Sequence, residues 1–189
     1  MDGSGFRHLY APAGPEGYYR AHADDYHNPH EPVIRLALAH AVQHWSPPLR
    51  FDAVLDLAAG GGEATLALRE LLEGIACEGM DPFTAELYRR RTGLPCQAVS
   101  FEQLASGAQV LPDYSCIVCS CALHLASESW LPVLCQVLAR SAPDLLVLTP
   151  LRRPLLRESW GWRLEAESTF AVDDRGLRLR WYRRCWTEP

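Results

Sequence analysis

The sequence predicts a three-layer α/β fold, in which helices flank a seven-stranded, mostly parallel sheet that ends in an antiparallel hairpin. Three observations predict it. An apolar run, Ala53 to Leu57, enters Ala58-Ala59-Gly60-Gly61-Gly62 and leaves with helical spacing at Leu66, Leu68, Leu71 and Leu72. Strand-like and helix-like segments then alternate as far as residue 149, as parallel strands joined by helical crossovers do. Finally, two alternating stretches, about 163–172 and 177–185, flank Asp173-Asp174-Arg175-Gly176, a turn sequence between antiparallel strands. With 189 residues the chain suits one compact domain. Ligands of such sheets gather at the C-terminal ends of the strands.

The elements follow in order. Residues 1–17 are rich in Gly, Pro and Ala and are expected to dock loosely. From Tyr18 to His30 aromatic, imidazole and amide groups are concentrated beyond the needs of a linker. Asn28 is the expected N-cap of a helix reaching about Trp45, with Pro29 in its first turn and Glu31 in capping-box register. Val33, Ile34, Ala37, Leu38, Ala41, Val42 and Trp45 form its apolar stripe. After Ser46-Pro47-Pro48 come a strand at 53–57, a helix at 62–73, and a strand at 75–81 that ends in Asp81. A helix over 83–92 is stopped by Gly93. A third strand spans 94–99, and a fourth with its exit spans 114–125. Ser127 is the expected cap of a helix to Arg140, and Leu145 to Thr149 is the fifth strand, leaving through Thr149-Pro150-Leu151-Arg152-Arg153-Pro154.

Composition narrows the function. No apolar run reaches the roughly 18 residues that span a bilayer. The first residues lack the basic and apolar segments of a signal peptide, so a soluble, cytoplasmic protein is expected, without a membrane partner. Seven cysteines, an odd number in mostly apolar contexts, read as buried free thiols. Cys116, Cys119 and Cys121 have no second pair at zinc-site spacing, and strand alternation points Cys116 away from the other two, so no metal is expected. Net charge is −5, and all 18 basic residues are arginine. That balance disfavours nucleic acid as a partner. Two local basic groups remain: Arg152, Arg153 and Arg157, and Arg178, Arg180, Arg183 and Arg184. Oligomeric state is not legible.

The ligand of the glycine turn is the central question. A pyrophosphate would lie against the first helical N–H groups, but Glu63 stands there, no lysine exists to assist, and Thr65 replaces the third glycine of a dinucleotide turn. A cofactor with a sulfonium and an ammonium and no phosphate, S-adenosylmethionine (SAM), suits these charges better. The stretch Val54-Leu55-Asp56-Leu57-Ala58-Ala59-Gly60-Gly61-Gly62 resembles the first motif of the class I SAM-dependent methyltransferases, with Ala58 where that family usually has its first glycine. Asp81 lies 21 residues beyond Gly60, where an acid at a strand end can accept both hydroxyls of a ribose, and Pro82 beside it matches the family. Capping of the following helix is the alternative role for Asp81.

The resemblance implies further placements. Residues 1–45 would form an N-terminal lid and helix, and 46–189 the SAM-binding domain. Tyr26 and Tyr19 are candidates to reach the cofactor from the lid, against simple packing. Asp56, Ala58, Gly60 and Gly62 would shape the cofactor turn. Ser100 stands where many members carry an acid that holds adenine, and Phe101 would either stack on adenine or serve in helix packing. Cys119 marks the exit of the fourth strand, where cofactor and substrate meet. His124 is a candidate base or orienting group, or a packing element. His22, His30 and Arg152 are candidate substrate contacts. The implied activity is methyl transfer from SAM to a small-molecule acceptor, giving S-adenosylhomocysteine (SAH). Methylation of protein or RNA, and a SAM-binding pseudo-enzyme acting through a partner, are the alternatives. Because methyl transfer is an in-line displacement, positioning supplies much of the rate, and a base is needed only if the acceptor must lose a proton.

Overall fold

The computed structural model describes residues 26–185, together with Gly17. The helices are α1 (Glu31–His44), α2 (Glu63–Leu71), α3 (Ala85–Thr92), α4 (Phe101–Ala105) and α5 (Leu131–Ser141). The strands are β1 (Ala53–Leu57), β2 (Ala76–Met80), β3 (Cys96–Gln97), β4 (Cys116–Ser120), β5 (Asp144–Thr149), β6 (Trp162–Val172) and β7 (Arg175–Arg184). They form one sheet in the order β3-β2-β1-β4-β5-β7-β6. β1 to β5 pair parallel, and β7 runs antiparallel to both β5 and β6. The seven-stranded sheet with its antiparallel hairpin is the fold that the sequence predicts.

Side-chain alternation along the buried strands sends two sets of residues to opposite faces. Val54, Cys116, Val118, Leu146 and Leu148 pack with α1 and α2. Leu55, Leu57, Ile117, Leu145 and Val147 pack with α4 and α5. The stripe of α1 is as expected: Val33, Ile34, Ala37, Leu38 and Ala41 are buried, with Val42 and Trp45 partly so. Of the segment read as lid and helix, residues 31–44 are thus a helix built into the core.

Several boundaries differ from the sequence reading, each for a local reason. Asn28 does not cap α1. Its Oδ1 accepts the His30 N–H at 2.9 Å, a turn placed before the helix, and the first-turn proline is Pro32. Glu31 is turned outward to Arg91, 3.2 Å away, so no capping box forms. α4 was not foreseen. Ser100 and Gln103 bond reciprocally across its first turn, which stabilises a five-residue helix right after the short edge strand β3. α5 begins at Leu131 rather than at Ser127, because the Ser127 carbonyl, not its hydroxyl, receives the Trp130 and Leu131 N–H groups. The hairpin turn narrows to Asp173-Asp174, with Arg175 and Gly176 already paired in β7.

β6 is the terminal strand of the sheet. It carries a register shift between Leu164 and Ala166, and an Arg163–Glu165 ion pair lies along it. Among the described residues, no helix is long and apolar enough to cross a membrane.

Candidate functional site

The β1–α2 turn is built from backbone that few side chains tolerate. Ala58 (φ 55°), Gly60 (φ 56°) and Gly62 (φ 84°) all lie in the left-handed region. At Ala58 this is strained for an L-residue, by about 1 kcal/mol, which is a physical reason to prefer glycine there. At Gly60 the space is also occupied: a Cβ would sit 3.1 Å from the Tyr26 ring. Gly62 serves packing instead. A Cβ there would come within 2.5 Å of Thr92 Cγ2, so glycine lets α3 approach α2.

Above this turn lies a cavity of about 300 Å³ at the C-terminal ends of β1, β2 and β4. Its floor is Leu57 to Gly60 with Glu63. One wall is Asp81, Pro82 and Phe83, another is Val99 to Glu102, and the β4 exit supplies Ser120, Cys121 and Ala122. Tyr26 and Asn28 close it from the N-terminal side. Among the described residues its charged lining is wholly acidic: Glu63, Asp81 and Glu102.

Asp81 organises the ligand side of the cavity. Its Oδ2 accepts the Gly60 N–H at 3.0 Å, and its Oδ1 accepts the N–H groups of Phe83 and Thr84, each at 2.9 Å. The turn-capping alternative is therefore real. A carboxylate offers about four acceptor positions. Three are used, so Asp81 has room for one further donor, where the sequence reading assigned it both hydroxyls of a ribose. Asp56 holds the turn from beneath and is not on the cavity wall. Its Oδ2 accepts both the N–H (3.1 Å) and the hydroxyl (2.8 Å) of Thr65, whose oxygen also meets the Tyr88 hydroxyl at 2.9 Å. Burial lifts the Asp56 carboxyl to about 7, against the lowering effect of the Thr65 bonds.

Glu63 is the residue whose role the sequence conveyed least. It is 2% exposed, its Oε2 accepts the Gly61 N–H at 3.1 Å, and its Oε1 receives Arg91 at 2.6 Å. Burial raises its carboxyl above the usual range while Arg91 opposes that shift. Arg91 also reaches Glu31, so the starts of α1 and α2 are tied together beside the cavity. Asn28 is the second such residue. Beyond its turn, its side chain hydrogen-bonds the Cys121 thiol, which burial pushes up to about 12. A signal for both existed in the sequence: an acid at a glycine-rich helix start, and an Asn-Pro pair just before a helix.

The remaining candidates separate clearly. Tyr26, Ala58, Gly60, Asp81, Pro82, Ser100 and Phe101 line the cavity. The Ser100 hydroxyl is engaged in capping α4. Asp56 and Gly62 support the turn from behind. Cys119 is fully buried in the core one residue inside β4, so Ser120 to Ala122 form the wall in its place. Cys121 packs on the Cys116 side of the sheet rather than with Cys119, because its left-handed backbone (φ 56°) reverses the alternation. His30 is 6% exposed, off the cavity wall, within the electrostatic reach of Arg175 and Asp174 at the hairpin tip, which argues against substrate contact. His124 lies in a 3₁₀ turn next to the lining Leu125 but is not itself on the wall. Its Nδ1 is buried without a partner among the described residues, and burial lowers its pKa. Arg152 is exposed on the loop after β5 and is also off the wall. Tyr19 and His22 lie outside the described residues. No grouping of metal-ligating side chains occurs among the described residues.

No protein-family model matches the chain. An uncharacterized protein of Schizosaccharomyces pombe is 32% identical over 190 residues, covering 79% of this chain and 76% of that protein. Among solved structures, magnesium protoporphyrin IX methyltransferase of Synechocystis PCC 6803, with bound SAM, superimposes with a TM-score of 0.64 at 15% identity, over 95% of each chain. A TehB-like SAM-dependent methyltransferase of Corynebacterium glutamicum gives 0.59 at 15% identity, over 78% of this chain and 87% of that one. The chain thus belongs to one family with the fission-yeast protein, and its fold is that of the class I SAM-dependent methyltransferases.

Proposed function

We propose that the protein is a SAM-dependent methyltransferase that acts on a small-molecule acceptor. The observation that carries this reading is the charge of the cavity: among the described residues, Glu63, Asp81 and Glu102 line it, and no Arg or His does. A ligand with a sulfonium and an ammonium suits such a wall, whereas a pyrophosphate at the start of α2 would meet the Glu63 carboxylate there and those of Asp81 and Glu102 across the cavity. Gly60 allows close approach over the turn, and the free acceptor position of Asp81 suits a ribose hydroxyl. Phe101 and Val99 supply an apolar wall for a flat base, and Tyr26 covers the turn. SAM supplies a methyl group on a good leaving group. The chain's part is to hold an acceptor atom in line at the β4 exit, between Ser120 and Ala122, and to keep water out. His124, neutral at pH 7 because burial disfavours its cation, is suited to accept a proton or orient a hydroxyl near that exit.

Calorimetry of the intact protein with SAM, SAH and NAD tests the reading. Binding of SAM and SAH at micromolar concentration with none of NAD is expected. NAD binding without SAM or SAH binding would overturn it, and SAM binding without turnover across an acceptor screen would favour the pseudo-enzyme alternative.

A further inference from the structure

The two arginine groups visible in the sequence have different fates. Those of β7 are consumed by the fold. Arg178 and Arg180 pair with Glu167, Arg183 pairs with Asp144 and lies over Trp181, and Arg184 donates to the Ala139 carbonyl. Of those after β5, two are not. Arg152 and Arg153 are exposed and have no ion-pair partner among the described residues, and Arg157 stacks 5.1 Å over Trp160.

The backbone that carries them is fixed. Arg180, only 2% exposed, donates to the Pro154 carbonyl at 3.0 Å and the Arg152 carbonyl at 2.9 Å. The Leu151 N–H is held by Thr149 Oγ1 at 3.1 Å, and Leu156 is buried. The loop lies off the cavity wall but starts one strand away from it. It leaves β5 on the edge of the sheet where the cavity opens, and Leu148, just before it, accepts the N–H of the cavity-wall residue Cys121 at 2.8 Å. Two adjacent unpaired cations on a clamped loop repel one another, which a bound anion would relieve. Because the backbone is already ordered, an anion meets two guanidinium groups with little further loss of loop entropy.

From this we infer that Arg152 and Arg153 form an anion-recognition element for the acceptor, which bears a carboxylate or phosphate group away from its reacting atom. The inference rests on the methyltransferase reading. It divides the charge of the site: the acidic cavity takes the cationic methyl donor, and the basic loop beside it takes an anionic acceptor.

The test uses the full chain and three probes, citrate, inorganic pyrophosphate and a short single-stranded RNA at two salt concentrations, titrated by calorimetry and by NMR of the arginine side-chain N–H groups. SAH is titrated separately. The double variant Arg152→Ser/Arg153→Ser is compared with Arg50→Ser, an exposed arginine preceding β1 at the opposite edge of the sheet. Saturable millimolar binding of citrate or pyrophosphate is expected, weakened about tenfold or more in the double variant and unchanged in Arg50→Ser, with equal SAH affinity in all three. Anion affinity that survives the double substitution, or no saturable binding by the natural protein, would overturn the inference. So would binding confined to a single-stranded RNA with steep salt dependence, which would mark a nucleic-acid surface. Loss of SAH binding by the natural protein is a separate result: it would overturn the methyltransferase reading, and the acceptor role with it.

Discussion

Asp81 and Arg180 do similar work with opposite charge at two places along the C-terminal edge of the sheet. The carboxylate gathers three backbone N–H groups at the ends of β1 and β2, and the guanidinium gathers two backbone carbonyls after β5. They differ in what remains. Asp81 stands on a cavity wall with an acceptor position to spare, so it can both shape a site and serve a ligand. Arg180 is neutralised by Glu167 and buried, so its charge goes no further than the loop that it holds. The cation offered outward there is that of Arg152 and Arg153. An organising charge can thus be part of a site or only its support, and spare hydrogen-bonding capacity tells the two apart.

Four expectations sharpen this contrast, in order of size. The largest concerns Asp56, the acid beneath the cavity floor, which has no counterpart at the basic loop. Its carboxyl titrates at about 7 in the fold, well above the ordinary value of 3.8, chiefly through burial. Between about pH 4 and 7 the unfolded chain gives up this proton while the native state keeps it. Stability should therefore fall as pH rises through that window, by up to roughly 4 kcal/mol, and level off above it. Denaturant unfolding across pH should show the slope, and Asp56→Asn should flatten it. Next, Asp81→Ala leaves three N–H groups without their acceptor and should lower stability by about 2–3 kcal/mol. Calorimetry should find SAH binding lost in the same variant. Arg180→Met should lower stability by about 2 kcal/mol, less than for a fully buried pair because Glu167 can turn to water. Amide exchange should quicken across 151–156 while SAH affinity is kept; lost SAH affinity would show the two regions to be one unit. The smallest effect has the opposite sign: Ala58→Gly should raise the midpoint of thermal unfolding, since about 1 kcal/mol of left-handed strain disappears.

What the sequence revealed, and what it hid, follows from the range of the interactions. Asp56 to Gly62 and the Asp173-Asp174 turn were legible because they depend on local backbone geometry, which residue type reports directly. The strand and helix order was legible for the same reason. α4 escaped because five residues with one capping pair leave almost no periodicity. Cys121 was assigned to the wrong face because alternation assumes that the strand continues, and the chain turns left-handed at that residue. The roles of Asn28, Glu63 and Arg180 depend on partners distant in sequence: Cys121, Arg91 and the carbonyls of Arg152 and Pro154. No periodicity encodes such contacts. The cavity wall was partly visible: the glycines and Asp81 belong to a motif, Tyr26, Pro82, Ser100 and Phe101 were named through the resemblance, and Asn28, Glu102 and the β4-exit residues Ser120 to Ala122 were not named as wall residues.

The terminal position of β6 has a consequence for how the molecule behaves among its own copies. An eleven-residue strand at the end of a sheet presents backbone groups on which another chain could add a strand and begin a fibril. Here an incoming strand would have to follow the register shift at Leu164 and Ala166 and desolvate Arg163 and Glu165. Both demands oppose edge-to-edge growth on β6, so the same irregularity that interrupts the hairpin ladder makes this end of the sheet a poor template for a further strand.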